Sequence, residues 1–419
     1  KTNGPPRLSS TGRYMTFRSR TPFTDTANGN TEKLKIYLVD RESGSIELAS
    51  KAFNELEQIN SDSTNYAISR SGDKILYGSS ASNIVENDLN NQFDLFVYDR
   101  PTKTNFRIST SNSGEGGNGK SYGGDISADE KYIVFRSDAS NLVDGDNNTH
   151  SDIFIHDTTT KKISWIDTAN SSVGELTYLA APTISGNGRY IAFTARPIST
   201  KYRNKRLYLF DKVSNEITQL TETVIPFNAS KYYIDDVRYP QITDDGRYIY
   251  YIQFYDVYRY DTETEEITLI SKSIDTQTGT GGSNGSLAIT SNGSHVVFSS
   301  GSDQLINDDT NGFSDLFLYN ASSETISLVN IGIGGFQAKY NMHLFDMSAD
   351  GSTIAYQTRA YNLHADDHNQ DELDLFLASG PFPVGSENKE IDLSLSKSAS
   401  TSSIEIGSNI TYTLTIDNI

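Results

Sequence analysis

The sequence predicts an all-β protein, folded as a seven-bladed β-propeller of four-stranded antiparallel blades. Three observations predict it. A Ser or Thr placed three residues before a turn returns seven times at a near-constant spacing. Each return opens the same series of short β-rich runs separated by polar turns. Tyr (25) and Phe (19) are plentiful among Asn, Asp, Ser and Gly, the composition of strands and tight turns.

The anchors are Ser9–Gly12, Ser69–Gly72, Ser127–Glu130, Ser185–Gly188, Thr243–Gly246, Thr290–Gly293 and Ser348–Gly351. The steps between them are 60, 58, 58, 58, 47 and 58 residues. A period held over six steps marks a repeat architecture, which absorbs the 419 residues mostly as one domain.

Each anchor leads into a β-run: Tyr14–Phe17, Lys74–Tyr77, Tyr132–Phe135, Tyr190–Phe193, Tyr248–Tyr251, His295–Phe298 and Thr353–Tyr356. A polar loop and a second run follow: Ile36–Val39, Leu95–Tyr98, Ile153–His156, Leu207–Phe210, Val257–Tyr260, Leu316–Tyr319 and Leu375–Leu377. Asp40, Asp99, Asp157, Asp211 and Asp261 close this strand, and Asn320 does so in the sixth unit. A turn and a last strand complete the unit, as at Ile46–Ala49, Phe106–Ser109, Ile163–Ile166, Ile217–Thr221, Ile267–Ser271 and Ile326–Asn330. A single four-stranded sheet of this size cannot bury both faces. Radial stacking of seven buries them and leaves only short edges. An open solenoid is the alternative, and the hairpin turns speak against it. The seventh unit shows no clear fourth strand, so closure is expected from blade 1 packing on blade 7 without exchange of a strand.

The net charge of −19 and pI near 4.7 disfavour phosphate backbones and anionic lipid surfaces as partners. They suit cation binding, and equally solubility in salty surroundings. Mean hydropathy is −0.49, and no apolar run is long enough for a membrane-spanning helix. The absence of cysteine excludes disulfides, thiolate metal sites and cysteine nucleophiles. Lys1 begins in mid-pattern, so the chain is read as a fragment of a longer precursor.

The strongest local signal is the loop between the second and third strands. Unit 3 places oxygen side chains at positions 1, 3, 5 and 9: Asp144, Asp146, Asn148 and Asp152. Alternate residues of a tight loop can turn inward together, as a calcium ion requires of its oxygen ligands. Unit 6 repeats the set as Asn307, Asp309, Asn311 and Asp315, and unit 2 as Glu86, Asp88, Asn90 and Asp94. Unit 7 has Asp367, Asn369 and Asp374 with one residue inserted. The pattern resembles the calcium-binding hairpins of integrin-type propellers. It is not an EF-hand, since position 12 is Ile155. The competing reading is a set of polar hairpin tips whose Asp and Asn bond to their own backbone. If calcium binds, its role is to stiffen the hairpins.

No nucleophile elbow, phosphate loop or dinucleotide fingerprint appears. The six histidines, His150, His156, His295, His343, His364 and His368, show no metal-binding spacing on firm strands. The Gly-rich segment Thr278–Gly285 reads as an inter-blade loop. The tyrosines Tyr248, Tyr250, Tyr251, Tyr255, Tyr258 and Tyr260 are expected to pack between blades, with a sugar-stacking face as the rival. The basic stretch Lys201–Arg206 reads as a solvated loop, or as a contact for an acidic partner.

The repeat, best seen in Ser127–Phe135 and Asn141–Asp157, resembles the propeller repeat of the bacterial TolB-like (WD40-like) family over residues 6–379. The resemblance implies the fold, in a family that includes translocation proteins, peptidase propellers, lyases and surface proteins. Residues 380–389 read as a linker, and 390–419 resemble the start of an immunoglobulin-like repeat of bacterial surface proteins. The matching residues are Asp392, Leu393, Lys397, Gly407, Tyr412, Thr413, Leu414 and Asn418. About 30 of the roughly 100 residues such a domain needs are present.

The expectation is therefore a non-catalytic binding or scaffold module of a secreted or cell-surface bacterial protein. Its ligand is a protein or glycan, its cofactor a structural calcium ion. The alternative is a carbohydrate-active enzyme, a polysaccharide lyase or hydrolase, working in the central funnel. That alternative predicts His, Asp, Arg or Tyr side chains converging at one end of the channel.

Overall fold

In the computed structural model the described residues are 4–20, 22–23, 33–148, 150–168, 171–198, 204–221, 236–280, 282–283, 285–332, 335–342, 344–364 and 373–380, with strand segments at 390–392, 398–399 and 412–413. They form seven four-stranded antiparallel sheets, each of four strands consecutive in the chain.

Blade 1 comprises β1 (Arg7–Leu8), β2 (Tyr14–Ser19), β3 (Lys35–Asp40) and β4 (Ser45–Leu48). Blade 2 holds β5 (Ser63–Ile68), β6 (Lys74–Ser79), β7 (Asp94–Asp99) and β8 (Thr104–Arg107). Blade 3 holds β9 (Ser121–Ile126), β10 (Tyr132–Ser137), β11 (Asp152–Asp157) and β12 (Ile163–Trp165). Blade 4 holds β13 (Leu176–Ile184), β14 (Tyr190–Pro197), β15 (Arg206–Asp211) and β16 (Glu216–Gln219). Blade 5 holds β17 (Arg238–Ile242), β18 (Tyr248–Gln253), β19 (Asp256–Asp261) and β20 (Ile267–Leu269). Blade 6 holds β21 (Leu287–Ile289), β22 (His295–Ser300), β23 (Asp315–Asn320) and β24 (Thr325–Leu328). Blade 7 holds β25 (Leu344–Met347), β26 (Thr353–Thr358), β27 (Asp374–Ser379) and β28 (Glu390–Asp392).

The anchor residue explains the repeat. In every blade its buried hydroxyl accepts from the backbone N–H five residues on, as Ser9 does from Tyr14 (3.0 Å), Ser127 from Tyr132 (3.0 Å) and Ser348 from Thr353 (2.9 Å). Its carbonyl accepts from the turn residue three positions on, Gly12 to Ser9 at 2.9 Å for example. A buried turn polar group must find such a partner. The glycines have a second reason: a Cβ at Gly188 (φ +68°) would stand 2.4 Å from the Tyr132 ring of the preceding blade. Blade 3 departs from glycine at Glu130 (φ 59°). Its carboxylate accepts from the Ser71 N–H (3.3 Å) and pairs with Lys74 (2.8 Å), both of blade 2.

One aromatic pair stacks across the second and third strands of every blade, Phe135 on Phe154 at 5.7 Å and Tyr251 on Tyr258 at 5.6 Å among them. Apolar clusters then join blade to blade, as Val134, Ile153 and Ile155 of blade 3 do with Leu179, Phe193 and Tyr208 of blade 4.

The first strands of successive blades are neighbours all the way round, from β1 through β25 and back to β1. Among the described residues closure uses no exchanged strand. The Leu8 N–H donates to Asp346 (2.8 Å) and Asp350 N–H to the Ser10 carbonyl (3.0 Å), while Leu8, Met15, Phe17, Ala355 and Leu377 share one cluster. The fourth strand of blade 7, which the sequence reading did not locate, is β28, paired to β27 through Ala378 and Glu390. It begins where the immunoglobulin-like stretch was placed. Of that stretch only β28, β29 (Ser398–Ala399) and β30 (Tyr412–Thr413) are described, the last two as a pair.

Candidate functional site

The two ends of the propeller channel differ. At one end the anchor turns are laced together by inter-blade backbone hydrogen bonds: Ser10 to Arg70, Asp129 to Gly186, Asn187 to Asp244, Asp244 to Ser291, Ser291 to Ala349 and Asp350 to Ser10. Between blades 2 and 3 the Glu130 side chain takes that place. Arg70 of blade 2 reaches Asp244 of blade 5 at 2.7 Å. Those blades stand on opposite sides of the ring, so this ion pair crosses the channel. Half-buried Asp125 and Asp346 lie within the same arginine's field, and desolvation raises the pKa of both.

The other end carries the hairpins between second and third strands, and here the channel mouth is basic and aromatic. Arg136, Arg196, Lys205 and Arg238 come from blades 3, 4 and 5. Arg196 lies 5.0 Å over the Tyr178 ring, Arg136 5.5 Å from Tyr122 and Arg238 5.8 Å from Tyr255. Burial lowers the Lys205 pKa, and the charges of Arg196, Arg136 and Arg238 lower it further against nearby Asp236. Asp236 holds the group together, 3.7 Å from Arg196 and accepting from the Lys205 N–H at 2.6 Å. The Nε atoms of Arg136 and Arg196 are buried without a protein acceptor.

Tyr178, Tyr239 and Tyr255 stand 54%, 44% and 36% exposed at this mouth. All three have left-handed backbone (φ 54°, 51° and 62°), as does Phe254 (φ 54°). Such strain in bulky residues concentrates at functional sites. A shallow pocket is lined by Asp236, Arg238, Tyr239, Phe254 and Tyr255. Two larger clefts, one lined by Lys35, Glu47, Lys51 and Tyr98 and one by Asn311, Phe313, Phe336 and Tyr361, include no residue of the innermost strands.

The predicted cation loops lie on this same face. Positions 3, 5 and 9 converge in blades 2, 3 and 6. Asp88, Asp146 and Asp309 are at most 8% exposed, and Asp94, Asp152 and Asp315 at most 2%. Asn148 donates to Asp152 (2.8 Å) and Asn311 to Asp315 (3.0 Å). The Asn at position 5 also accepts from the N–H two residues on, as Asn90 does from Gln92 (3.2 Å), Asn148 from His150 (2.7 Å) and Asn311 from Phe313 (2.8 Å). The Asx-turn reading is therefore correct for these three asparagines. Asp88, Asp146 and Asp309 accept in the same way from the N–H two residues on, which leaves one oxygen of Asp146 and one of Asp315 without a hydrogen bond.

Burial pushes Asp152 up to about 7, with Asp146 adding to it, and Asp315 up to about 6, with Asp309 adding. In blade 2 the two carboxylates meet Arg107, 2.6 Å from Asp88 and 3.6 Å from Asp94. Position 1 stays at the exposed tip in all three (Glu86, Asp144, Asn307). In blade 7 Asp374 is half-buried, while Asp367 and Asn369 lie outside the described residues. No three His, Asp or Glu side chains converge as a metal cluster among the described residues. The oxygen sets are two carboxylates and an amide.

Of the histidines, His343 and His368 lie outside the described residues. His156 is buried with neither ring nitrogen hydrogen-bonded, and burial lowers its pKa to about 4. The blade 5 tyrosines pack as expected, Tyr250 also donating to the Gly293 carbonyl at 2.8 Å; Tyr255 instead faces the mouth. Lys201 and Arg203 lie outside the described residues, and Lys205 joins the basic group. Sequence reading missed Arg107 and this mouth. The usable signal was strand register for the first, and arginines at strand ends of an acidic chain for the second.

No family model matches the chain, and no curated protein matches it. Among solved structures it is similar to oligogalacturonate lyase from Vibrio parahaemolyticus, at 14% identity over 90% of this chain and 88% of that one, with TM-score 0.54. It is also similar to the β-propeller domain of the Trilobed protease from Pyrococcus furiosus, described as an open velcro, at 13% identity over 90% and 94% with TM-score 0.51. TolB from Acinetobacter baumannii aligns at 13% identity over 83% and 73% with TM-score 0.42. The class is thus a β-propeller. Likeness at these identities gives the fold alone.

Proposed function

We propose that the chain is a non-catalytic binding module of the TolB-like kind, belonging to an exported bacterial protein, with hairpins stiffened by calcium. The observation that carries the reading is the asymmetry of the channel. At one end the anchor turns are bonded to their neighbours and one ion pair spans the channel, and the other end offers guanidinium groups and exposed tyrosine rings in a chain of net charge −19. Tyrosine supplies rigid contact area with a polar tip, and arginine pairs with carboxylates in a fixed geometry. The ligand is then a protein or glycan presenting acidic groups to that mouth. Among the described residues no helix is long and apolar enough to cross a membrane, in keeping with this setting.

The test is a screen against envelope proteins and glycans, with Arg196→Ala and Tyr178→Ala at the mouth. Each is expected to weaken a true ligand at least tenfold. Turnover of any polysaccharide or peptide in a parallel activity screen overturns the non-catalytic reading. The second reading, a carbohydrate-active enzyme, is favoured by the same convergence of Arg and Tyr side chains. It predicts a loss of turnover in those variants.

A further inference from the structure

Blades 2, 3 and 6 fold the same hairpin, with a buried aspartate in the loop, another at the start of the third strand, and an asparagine between. They differ in what surrounds the carboxylates: Ser109 donates to Asp94 (2.6 Å) and Asn330 to Asp315 (2.5 Å), while blade 3 sets the charge of Asp167 near Asp152, and one further neighbour differs in charge. In blade 2 the fourth strand delivers Arg107, whose Nη1 lies 2.6 Å from Asp88 and 3.6 Å from Asp94, both carboxylates buried and the arginine side chain 11% exposed. The register shows what the other blades have at that place. Arg107 pairs with Phe96, Trp165 with Phe154 and Leu328 with Phe317.

Blades 3 and 6 thus keep the paired carboxylates and lack the guanidinium. Asp146 Oδ1 and Asp315 Oδ2 are buried with no hydrogen-bond partner and no cation beside them among the described residues, whereas Asp94 Oδ2, which also lacks a hydrogen bond, has Arg107 Nη1 at 3.6 Å. A buried, uncompensated carboxylate is costly. It persists where a cation completes the set.

We propose that the hairpins of blades 3 and 6 each bind a divalent cation of the oxygen-seeking class, calcium, and that in blade 2 Arg107 stands in its place. This rests on the calcium reading above and sharpens it, separating metal-binding hairpins from one with its positive charge built in. Two carboxylates, loop oxygens and water at an exposed tip suit calcium, whose coordination is large and adaptable, better than magnesium.

The experiment is equilibrium dialysis of calcium against the whole chain and its variants, with circular dichroism to confirm folding. Asp315→Asn and Asp152→Asn are each expected to release one ion, Asp94→Asn none, and Arg107→Leu, which copies blade 6, to add one. A wild-type chain that binds no calcium overturns the calcium reading itself. If calcium binds and Asp94→Asn releases an ion, or folded Arg107→Leu adds none, the arginine substitution is overturned while calcium binding stands. Should Arg107→Leu fail to fold, Asp94→Asn decides alone.

Discussion

The anchor hydroxyl shows how one atom can set a period. Ser185 is buried, and its Oγ accepts from the Tyr190 N–H at 3.0 Å. Without it that N–H is buried and unpaired, at a cost of about 1–2 kcal/mol. Ser185→Ala is therefore expected to lower the unfolding free energy, read from urea titration, by that amount, and Ser185→Thr to restore most of it, since Thr243 and Thr290 do the same work. His156 gives a pH-dependent counterpart. Its pKa is lowered to about 4 by burial, so between that value and the ordinary one the unfolded chain binds the proton better. This term lowers stability as pH falls through the window, and it is absent above about 6.5. At pH 4.5 it amounts to roughly 2 kcal/mol. His156→Leu is expected to lose less stability than the wild type between pH 7.5 and 4.5, measured by urea unfolding.

At the scale of the element, much was legible in the sequence. Second and third strands announce themselves through aromatic and β-branched runs, because each blade needs a stacked pair such as Phe135 and Phe154 at its centre. The turn glycines were visible, and so was the loop spacing that brings Asp146, Asn148 and Asp152 together. Three things were hidden. Glu130 breaks the glycine rule because its side chain replaces a backbone bond between neighbouring turns, and only the neighbour, Lys74, shows why. Arg107 is an ordinary strand residue until register sets it against Asp88 and Asp94. The fourth strand of blade 7 begins ten residues after Gly380, so spacing could not assign it. The close approach at Gly188 yields a prediction here. Gly188→Ala strains a positive φ and drives a methyl group into Tyr132, and is expected to cost more than about 1 kcal/mol. Gly312→Ala, with positive φ and nothing within 4 Å, is expected to cost less. Thermal melts of the two variants make the comparison.

For the whole molecule, closure depends on neighbouring blades alone. The first strands seal the ring, and β28 adds only to the outer edge of blade 7. A chain ending at Gly380 is expected to keep the ring and melt cooperatively at a lower temperature, with β27 exposed as a new edge that favours self-association. Circular dichroism and size-exclusion chromatography read both effects. Loss of the cooperative melt would show that the ring needs β28.

The bond between Arg70 and Asp244 has a further consequence. With that strut in place a guest entering by the tyrosine-lined doorway meets a charged crossbar at the far end of the axial passage.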